Sequence, residues 1–410
     1  MSRGGFRNLR FVVLASLLIL VIYKLSTGRV VAPDPLSQQP WEPDVQSTTG
    51  GVGETKKSQQ DLDVQTTINV SQSIDSYNRA NATFITLARN SDLWDLVESI
   101  RNVEDRFNDK YHYDWVFLNE EEFSDEFKEI TSAFVSGQTH YGLIPEQHWG
   151  FPDWIDKDKA AETRENMKHI IYGDSISYRH MCRYESGFFW RHPLMNNYKY
   201  YWRVEPGVRL FCDIDYDLFK YMEQEKYRYG FTVSLYEYHD TVPTLWDTTK
   251  EFLENNPQYV ANDPLLDFVS DDGGETFNLC HFWSNFEVAD MDFWRDDAYR
   301  EYFDYLDKTG GFFYERWGDA PVHSIAASLF LNRTEIHHFE DVGYMHSPYT
   351  NCPTEESERI RLRCTCRADD NFSWRGYSCT PKYYKVNNFP PPKGWTKQAD
   401  DDVLRYLADS

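Results

Sequence analysis

Apolar residues of the chain follow strand-like and helical patterns in turn from residue 83 onward. Residues 83–88 (TFITLA) form a β-rich run, and the apolar residues between 93 and 107 then recur at helical spacing. Residues 113–118 (YDWVFL) form a second strand-like run. A strand, an amphipathic helix and a strand in this order predict a βαβ unit. Such a unit belongs to a parallel sheet, which binds ligands beyond the carboxyl ends of its strands.

Further elements continue this pattern towards the C-terminus. We expect strands over residues 169–172, 198–204 and 231–236. Helices are expected around 217–226 and 298–307. The pattern therefore predicts a single α/β domain of about 330 residues without internal repeats.

The N-terminal segment has a different character. Residues 11–23 carry no charge, three arginines precede them and Lys24 follows. This run is shorter than the roughly 20 residues of a typical span, and it has the length of a signal-peptide core. The absence of a small-x-small cleavage pattern favours a retained anchor, and the preceding arginines place the N-terminus in the cytosol. We therefore expect a cytosolic tail (1–10), a signal-anchor helix (11–25), a flexible luminal stem rich in Pro, Ser, Thr and Gln (26–76) and a globular domain (77–410).

Charge and composition narrow the classes of function. The chain has 66 Asp and Glu against 42 Lys and Arg, a net charge of −24, which excludes a nucleic-acid partner because phosphates would be repelled. Aromatic residues make up 17% of the chain, which suits sugar stacking as well as an ordinary core. A luminal location fits the Asn-x-Ser/Thr sequons at Asn69, Asn81, Asn332 and Asn371.

Several carboxylates are candidates for chemistry. Pro206 and Gly207 end a strand just after Glu205, so this carboxylate is expected at the ligand-binding edge, where it suits Mn²⁺ or Mg²⁺ or is simply a strand-end residue. The run 213–217 (DIDYD) resembles a metal-binding Asp-x-Asp, although Asp215 or Asp217 equally suits the N-cap of a helix that begins at Leu218. Glu287 follows aromatic residues and suits a nucleophile or ion-pair stabiliser in glycosyl transfer. Asp319 is expected on a Gly/Pro-punctuated loop, suited to gripping sugar hydroxyls or to turn formation.

The cysteines allow two interpretations. Cys352, Cys364, Cys366 and Cys379 suit either a four-thiolate zinc site or two disulfides, and an oxidising lumen favours the disulfides. Cys182, Cys212 and Cys280 remain, so at least one thiol is expected to be unpaired or to pair between chains. No GxSxG, GxGxxG after a strand or P-loop is present, which argues against an esterase, a dinucleotide enzyme and a P-loop NTPase.

Ordered blocks from residue 77 to the C-terminus together resemble the fungal Golgi α-1,2-mannosyltransferases of glycosyltransferase family 15. The anchor-and-stem layout matches as well. The blocks are ANAT (80–83) leading to LARN (87–90), WID (154–156), YRHMCRY (178–184), SGFF (186–189), YWRVEP (201–206), FCDIDYD (211–217), HFWSNFE (281–287) and RWGDAPVHS (316–324).

The resemblance implies a GT-A-like fold with a mixed, mainly parallel central sheet. It also implies transfer of mannose from GDP-mannose, with retention, to form an α-1,2 link on a mannosylated glycan or glycoprotein acceptor. The protein would be a single-pass type II Golgi membrane protein. Some relatives have an acidic residue after Glu-Pro, whereas this chain has Gly207.

Site roles also follow from the resemblance. Glu205 and His346 would hold Mn²⁺. The run 213–217 would then have a structural role instead of binding the metal. Glu287 matches a proposed nucleophile, and Asp319 would lie near the acceptor. Tyr178 would line the donor and acceptor cleft. Arg89, with the metal, would offset the charge of the diphosphate.

Two other classes compete with the transferase. One is a luminal mannose-binding or cargo-handling protein that kept the fold without turnover. The other is a retaining glycosidase, which needs two carboxylates about 5–5.5 Å apart. A requirement for GDP-mannose and Mn²⁺ would exclude both classes.

Overall fold

The computed structural model describes residues 78–395, which form mixed α/β structure. The predicted tail, anchor and stem lie outside these residues. Among the helices of the described part, none combines the length and apolar character that a membrane span requires. The strands are β1 (Ala82–Leu87), β2 (Asp114–Asn119), β3 (Thr139–Leu143), β4 (Tyr200–Arg203), β5 (Arg209–Leu210), β6 (Tyr229–Phe231), β7 (Ser234–Tyr236), β8 (Cys280–Phe282), β9 (Glu287–Asp290), β10 (Ile336–His338), β11 (Tyr344–His346) and β12 (Tyr349–Asn351).

The helices cover both faces of the main sheet and connect its strands. They are α1 (Leu93–Arg106), α2 (Asp125–Phe134), α3 (Lys157–Asn166), α4 (Ile176–Gly187), α5 (Leu218–Glu225), α6 (Leu245–Asn255), α7 (Leu266–Val269), α8 (Met291–Arg295), α9 (Asp297–Thr309), α10 (Gly311–Tyr314), α11 (Asp319–Phe330), α12 (Glu356–Arg361) and α13 (Thr380–Val386).

The predicted βαβ unit is present. β1 and β2 run parallel, with Ile85 opposite Val116, and α1 connects them. The apolar side of α1, including Leu96 and Ile100, is buried, because the helical spacing in the sequence gathers these residues on one face. The spacing of apolar residues in the sequence therefore predicted β1, α1 and β2 correctly.

The main sheet has seven strands in the order β10-β6-β9-β4-β1-β2-β3. β9 is antiparallel to both of its neighbours, and the other adjacent pairs are parallel. The expected mixed, mainly parallel sheet is therefore confirmed. Consecutive residues of β1 face opposite sides, so Phe84 and Ile85 belong to two different apolar clusters.

Two small sheets adjoin the main one. The run 231–236, expected as one strand, is divided between β6 of the main sheet and β7, which pairs with β8. β11 pairs with β5 and β12, with Met345 opposite Arg209. These short pairings bring late segments of the chain to the carboxyl end of β4.

The prediction of a strand at residues 169–172 is wrong. These residues form turns after α3, and Ile171 and Tyr172 are exposed. The run is apolar, but it packs against no strand, and residues without cross-strand neighbours gain nothing from an extended conformation. The helices expected near 217–226 and 298–307 are confirmed as α5 and α9.

The cysteines form disulfides, but only one of the bridges, Cys352–Cys366, lies within the expected set of four. All seven cysteines lie in the described part, and the pairs are Cys212–Cys364, Cys280–Cys379 and Cys352–Cys366. Cys182 is free and buried, as expected for at least one thiol. The four-thiolate zinc interpretation is therefore excluded, since each sulfur of that set is already bonded. Two of the bridges fasten the C-terminal segment to residues near β5 and in β8.

Candidate functional site

A cleft of about 500 Å³ opens at the carboxyl end of β4. Its walls come from β4, α4, the loop before β9, the start of α11 and the end of β11. Four of the predicted site residues line it, although they are spread over more than 160 positions of the sequence. They are Tyr178, Glu205, Asp319 and His346.

Glu205 reaches this cleft because the strand stops there. β4 ends at Arg203, and Pro206 and Gly207 turn the chain away. Gly207 has a φ of +83°, in the left-handed region that residues other than glycine rarely adopt. An acidic residue at 207 would therefore be strained in this backbone.

His346 lies beside Glu205. It ends β11, and its Nε2 lies 3.4 Å from Glu205 Oε2. Burial opposes ionisation of Glu205, but Arg203 and His346 outweigh it and lower the pKa of the carboxyl to about 2. Burial likewise opposes the charge on His346, and Glu205 overcomes it and raises the pKa of the imidazole. The sequence-predicted pair is therefore together in space.

The donor atoms of this pair fit Mn²⁺. A carboxylate oxygen and an imidazole nitrogen are both Mn²⁺ ligands, and both residues line the cleft with these atoms 3.4 Å apart. Adjacent ligands of an octahedral ion at about 2.1 Å lie roughly 3 Å apart, which is close to the separation found here. Two protein ligands leave positions for diphosphate oxygens and water, as is usual for divalent ions in nucleotide sites.

Arg203 lies beneath the pair and was not predicted. Its Nη2 donates to Glu205 Oε1 and its Nη1 to Asp319 Oδ2, each over 2.6 Å. Glu185 of α4 lies 3.9 Å from the same guanidinium. Burial opposes the charge, but these three carboxylates together raise the pKa of Arg203 above its usual range. An arginine inside an otherwise aromatic strand was a usable sequence signal, because a buried charge needs partners.

Asp319 is not on a loop, as the sequence had suggested. It is the first residue of α11, after Gly318 at the N-cap. Its Oδ2 also accepts from Ser284 Oγ over 2.7 Å. Burial would raise the pKa of the carboxyl, but Arg203 and further partners lower it. The helix N-terminus adds to this stabilisation of the anion, so Asp319 is an ionised group in the cleft wall.

Tyr178 forms a second wall with two residues that sequence reasoning missed. The guanidinium of Arg316 lies 5.2 Å from the centre of its ring. Arg316 Nη2 is 3.4 Å from Glu237 Oε1, while its buried Nε has no hydrogen-bond partner among residues 78–395. Glu237 is a further carboxylate of the cleft. A buried cationic N–H without a partner is suited to an oxygen of a bound anion.

Glu287 is enclosed rather than exposed in the cleft. It begins β9, is fully buried and is not among the residues that line the cleft. Its Oε2 accepts from Tyr229 Oη and His323 Nδ1, each over 2.8 Å, and its Oε1 accepts from Tyr201 Oη. The structure thus separates Glu287 from the other carboxylates, and its role as nucleophile stays a prediction.

Arg89 is not among the residues that line the cleft. It follows β1, is about half exposed, and donates from Nη2 to Ser177 Oγ, next to Tyr178. Its Nε lies 3.5 Å from Glu120 Oε1. Its diphosphate role also stays a prediction.

The acidic run 213–217 has structural partners. Asp217 caps α5, accepting from the backbone N–H groups of Phe219 and Lys220. Asp213 pairs with Arg106 and Arg363. None of the three carboxylates in the run is among the residues that line the cleft. The N-cap interpretation of Asp217 is confirmed.

Comparison with known proteins adds sequence relatives. The family described as glycolipid 2-alpha-mannosyltransferase matches residues 44–388, beginning within the predicted stem. Glycolipid 2-alpha-mannosyltransferase 1 of Candida albicans is 64% identical over 328 residues, covering 79% of this chain and 76% of the relative. Alpha-1,2 mannosyltransferase KTR1 of Saccharomyces cerevisiae is 61% identical over 319 residues, covering 77% and 81%.

Solved structures share the architecture. Core-mannan synthase A (CmsA/Ktr4) of Aspergillus fumigatus, in a Mn/GDP form, has a TM-score of 0.72 at 40% identity and covers 77% of this chain and 87% of its own. The mannosyltransferase Ktr4p of S. cerevisiae, in complex with GDP, has a TM-score of 0.72 at 36% identity and covers 78% and 84%.

Proposed function

The chain belongs to the glycolipid 2-α-mannosyltransferase family, and we propose that it is a retaining, Mn²⁺-dependent α-1,2-mannosyltransferase. It transfers mannose from GDP-mannose to a mannosylated glycan or glycoprotein in mannoprotein synthesis. The relatives are named as mannosyltransferases, and one related structure holds Mn and GDP. We also propose that the fold of the protein is GT-A-like.

The observation that carries the proposal is the convergence of Glu205 and His346 beside Arg203 and Asp319. A divalent cation held by Glu205 and His346 would offset the diphosphate charge and stabilise the departing GDP. Arg316, whose buried Nε has no hydrogen-bond partner among residues 78–395, adds a second guanidinium to the cleft lining. The cleft also contains Glu205, Glu237 and Asp319, so the charge of the bound metal is needed to offset a nucleotide there.

Asp319 is the acceptor-side carboxylate of this proposal. It is ionised, and it presents its carboxyl group to the cleft while Arg203 and Ser284 hold Oδ2. An ionised carboxylate accepts a hydrogen bond from a sugar hydroxyl and thereby orients it towards the donor sugar. Tyr178 offers a ring face along the same wall, on which a pyranose can pack.

Retention is compatible with two routes. Double displacement would use Glu287 as nucleophile, whereas front-face attack would need no enzyme nucleophile. The enclosure of Glu287 by Tyr201, Tyr229 and His323 supports the second route, because a nucleophile needs a path to the anomeric carbon.

The test is transfer with defined components. The purified protein is incubated with GDP-mannose, Mn²⁺ and α-methyl mannoside, and the linkage is read by NMR. An EDTA-sensitive α-1,2 dimannoside is the expected product. GDP binding without transfer to this or longer mannosyl acceptors would favour the inactive mannose-binding alternative, while metal-independent hydrolysis of mannosides would favour the glycosidase.

We further propose a Golgi location as a single-pass type II protein with residues 77–410 in the lumen. Three disulfides within the domain support an oxidising compartment. The sequons offer a test, because Asn81 is exposed while Asn371 is buried and donates from Nδ2 to the Cys352 carbonyl over 2.6 Å. Glycosidase treatment should shift the mass of the native protein, and Asn81→Gln should reduce that shift. Asn371→Gln is the matched control, and an unglycosylated chain would contradict the luminal placement.

A further inference from the structure

The side chain of Arg203 bonds to one carboxylate in each of two groups of cleft residues, which we call the two halves of the cleft. Its guanidinium donates to Glu205, beside His346, and to Asp319, beside Ser284. No other residue of the described part bonds to both carboxylates in this way. The two carboxylates are 114 positions apart in the sequence, so their relative placement depends on the residue between them.

The backbone of Arg203 has little freedom to move. β4 is paired on both sides, with Ile85 of β1 and Glu287 of β9 as the neighbours of Arg203. The residue is only 7% exposed, so water cannot replace its partners. A planar guanidinium presents its N–H groups in a fixed fork, unlike the single ammonium of lysine. Two hydrogen bonds from one such fork fix the distance and angle between the carboxylates.

We propose that Arg203 is a positioning residue that couples the metal–donor half of the cleft to the acceptor half. This inference rests on the proposed function and goes beyond it. When Arg203 holds Glu205 Oε1, the other oxygen of that carboxylate stays directed towards His346. When it holds Asp319, that carboxylate keeps its place in the acceptor wall. A substitution at Arg203 or Asp319 should therefore change the position of the Glu205 carboxylate at the metal site.

Ser284 provides a matched comparison. It donates to the same Oδ2 of Asp319, over 2.7 Å, yet it has no contact with Glu205. Ser284→Ala therefore loosens the acceptor carboxylate alone. Arg203→Lys keeps a positive charge in place but removes the fork, so it loosens both carboxylates.

The experiment measures the two halves separately in the full-length protein. Mn²⁺ binding in the presence of GDP is followed by EPR, and KM for α-methyl mannoside is measured apart from kcat. Arg203→Lys should weaken Mn²⁺ binding by about 10- to 100-fold, as loss of an outer-shell partner does, and also raise the acceptor KM. Ser284→Ala should raise the acceptor KM while Mn²⁺ affinity stays within about twofold of the parent.

Asp319→Asn keeps the experiment decisive if Arg203→Lys fails to fold. It leaves Arg203 intact and should weaken Mn²⁺ binding by more than Ser284→Ala does. Unchanged Mn²⁺ affinity in Asp319→Asn, or in a folded Arg203→Lys, would overturn the coupling. If the parent protein itself neither binds Mn²⁺ with GDP nor transfers mannose, the proposed function fails instead, so the two failures are distinguishable.

Discussion

His323 donates from Nδ1 to Glu287 Oε2 over 2.8 Å, in a part of the core where both side chains are fully buried. The contact joins α11, which begins with Asp319, to β9, which lies beside β4. Burial opposes a charge on His323, but Glu287 outweighs it and raises the pKa of the imidazole. The pair therefore fixes the helix that begins with Asp319 against the central sheet.

Glu287→Gln should lower both stability and turnover. Removing one member of a buried charge pair costs about 3–5 kcal/mol, and the acceptor wall shifts with α11. Binding of GDP with Mn²⁺ should remain, because Glu287 does not line the cleft. Denaturant unfolding, calorimetric GDP binding and kcat, measured well below the unfolding midpoint, check the three expectations.

The control is Tyr229→Phe, which removes one hydrogen bond to the same carboxylate. It should cost about 1–2 kcal/mol of unfolding free energy and reduce kcat less than Glu287→Gln. Near-normal turnover in Glu287→Gln would remove this residue from the mechanism.

Mn²⁺ should bind at Glu205 and His346. We expect Glu205→Ala or His346→Ala to abolish Mn²⁺ binding and transfer with little loss of fold, since both side chains face the cleft. Treatment with EDTA should abolish activity, and added Mn²⁺ should restore it. EPR titration with GDP present measures the metal directly.

Glu237 is the matched control for the metal site, because it lines the same cleft but pairs with Arg316. Glu237→Gln should retain Mn²⁺ binding. If this variant loses the metal while Glu205→Ala keeps it, the metal site is at Glu237 and our assignment is wrong.

Stability should fall as pH rises through the titration of Glu185. Burial is the main cause that raises the pKa of this carboxyl, from 4.5 to about 7, against the opposing effect of Arg203. The folded state thus binds a proton that the unfolded state releases, so the contribution is present below pH 4.5 and is lost as pH rises through about 7. Denaturant unfolding across this range should show a flatter profile in Glu185→Gln.

Glu254→Gln, at an exposed position of α6, is the control for this profile and should leave its slope as in the parent protein. An unchanged slope in Glu185→Gln would show that another group carries the pH dependence.

The disulfides should contribute unequally. Cys212–Cys364 closes a loop of 152 residues, whereas Cys352–Cys366 closes one of 14. In the chain-entropy description, the shorter loop is worth about 3 kcal/mol and a loop of more than a hundred residues about 5 kcal/mol. Paired Cys→Ser variants should therefore lose more stability at the long loop, as measured by denaturant unfolding. Equal losses would contradict this ranking.

Cys182 should resist maleimide in the native protein and react only after unfolding.

Local signals in the sequence were sufficient for some features. The spacing of apolar residues predicted β1, α1 and β2, and the Pro206-Gly207 stop placed Glu205 at the cleft. These features depend on neighbours in the chain, so the sequence displays them directly.

Long-range pairings were the features that local patterns missed. The three-residue strand β11 is too short for a periodic signal, and its place beside β5 is set by tertiary contacts. The division of 231–236 into β6 and β7 and the partners of Cys212 and Cys280 have the same origin. The resemblance to a family supplied His346, which spacing alone did not. Arg203 was overlooked because its strand reads as aromatic, although its charge marked it as exceptional.

The pairing of β5 with β11 has a consequence for biosynthesis. Residues 209–210 must wait for residues 344–346 before the small sheet can form and His346 can reach the cleft. Since chains emerge from the ribosome N-terminus first at about 5–20 residues per second, this interval lasts on the order of ten seconds. A nascent or prematurely terminated polypeptide that ends before residue 346 carries Glu205 without His346. The newly made protein thus acquires its complete cleft only when synthesis is nearly finished.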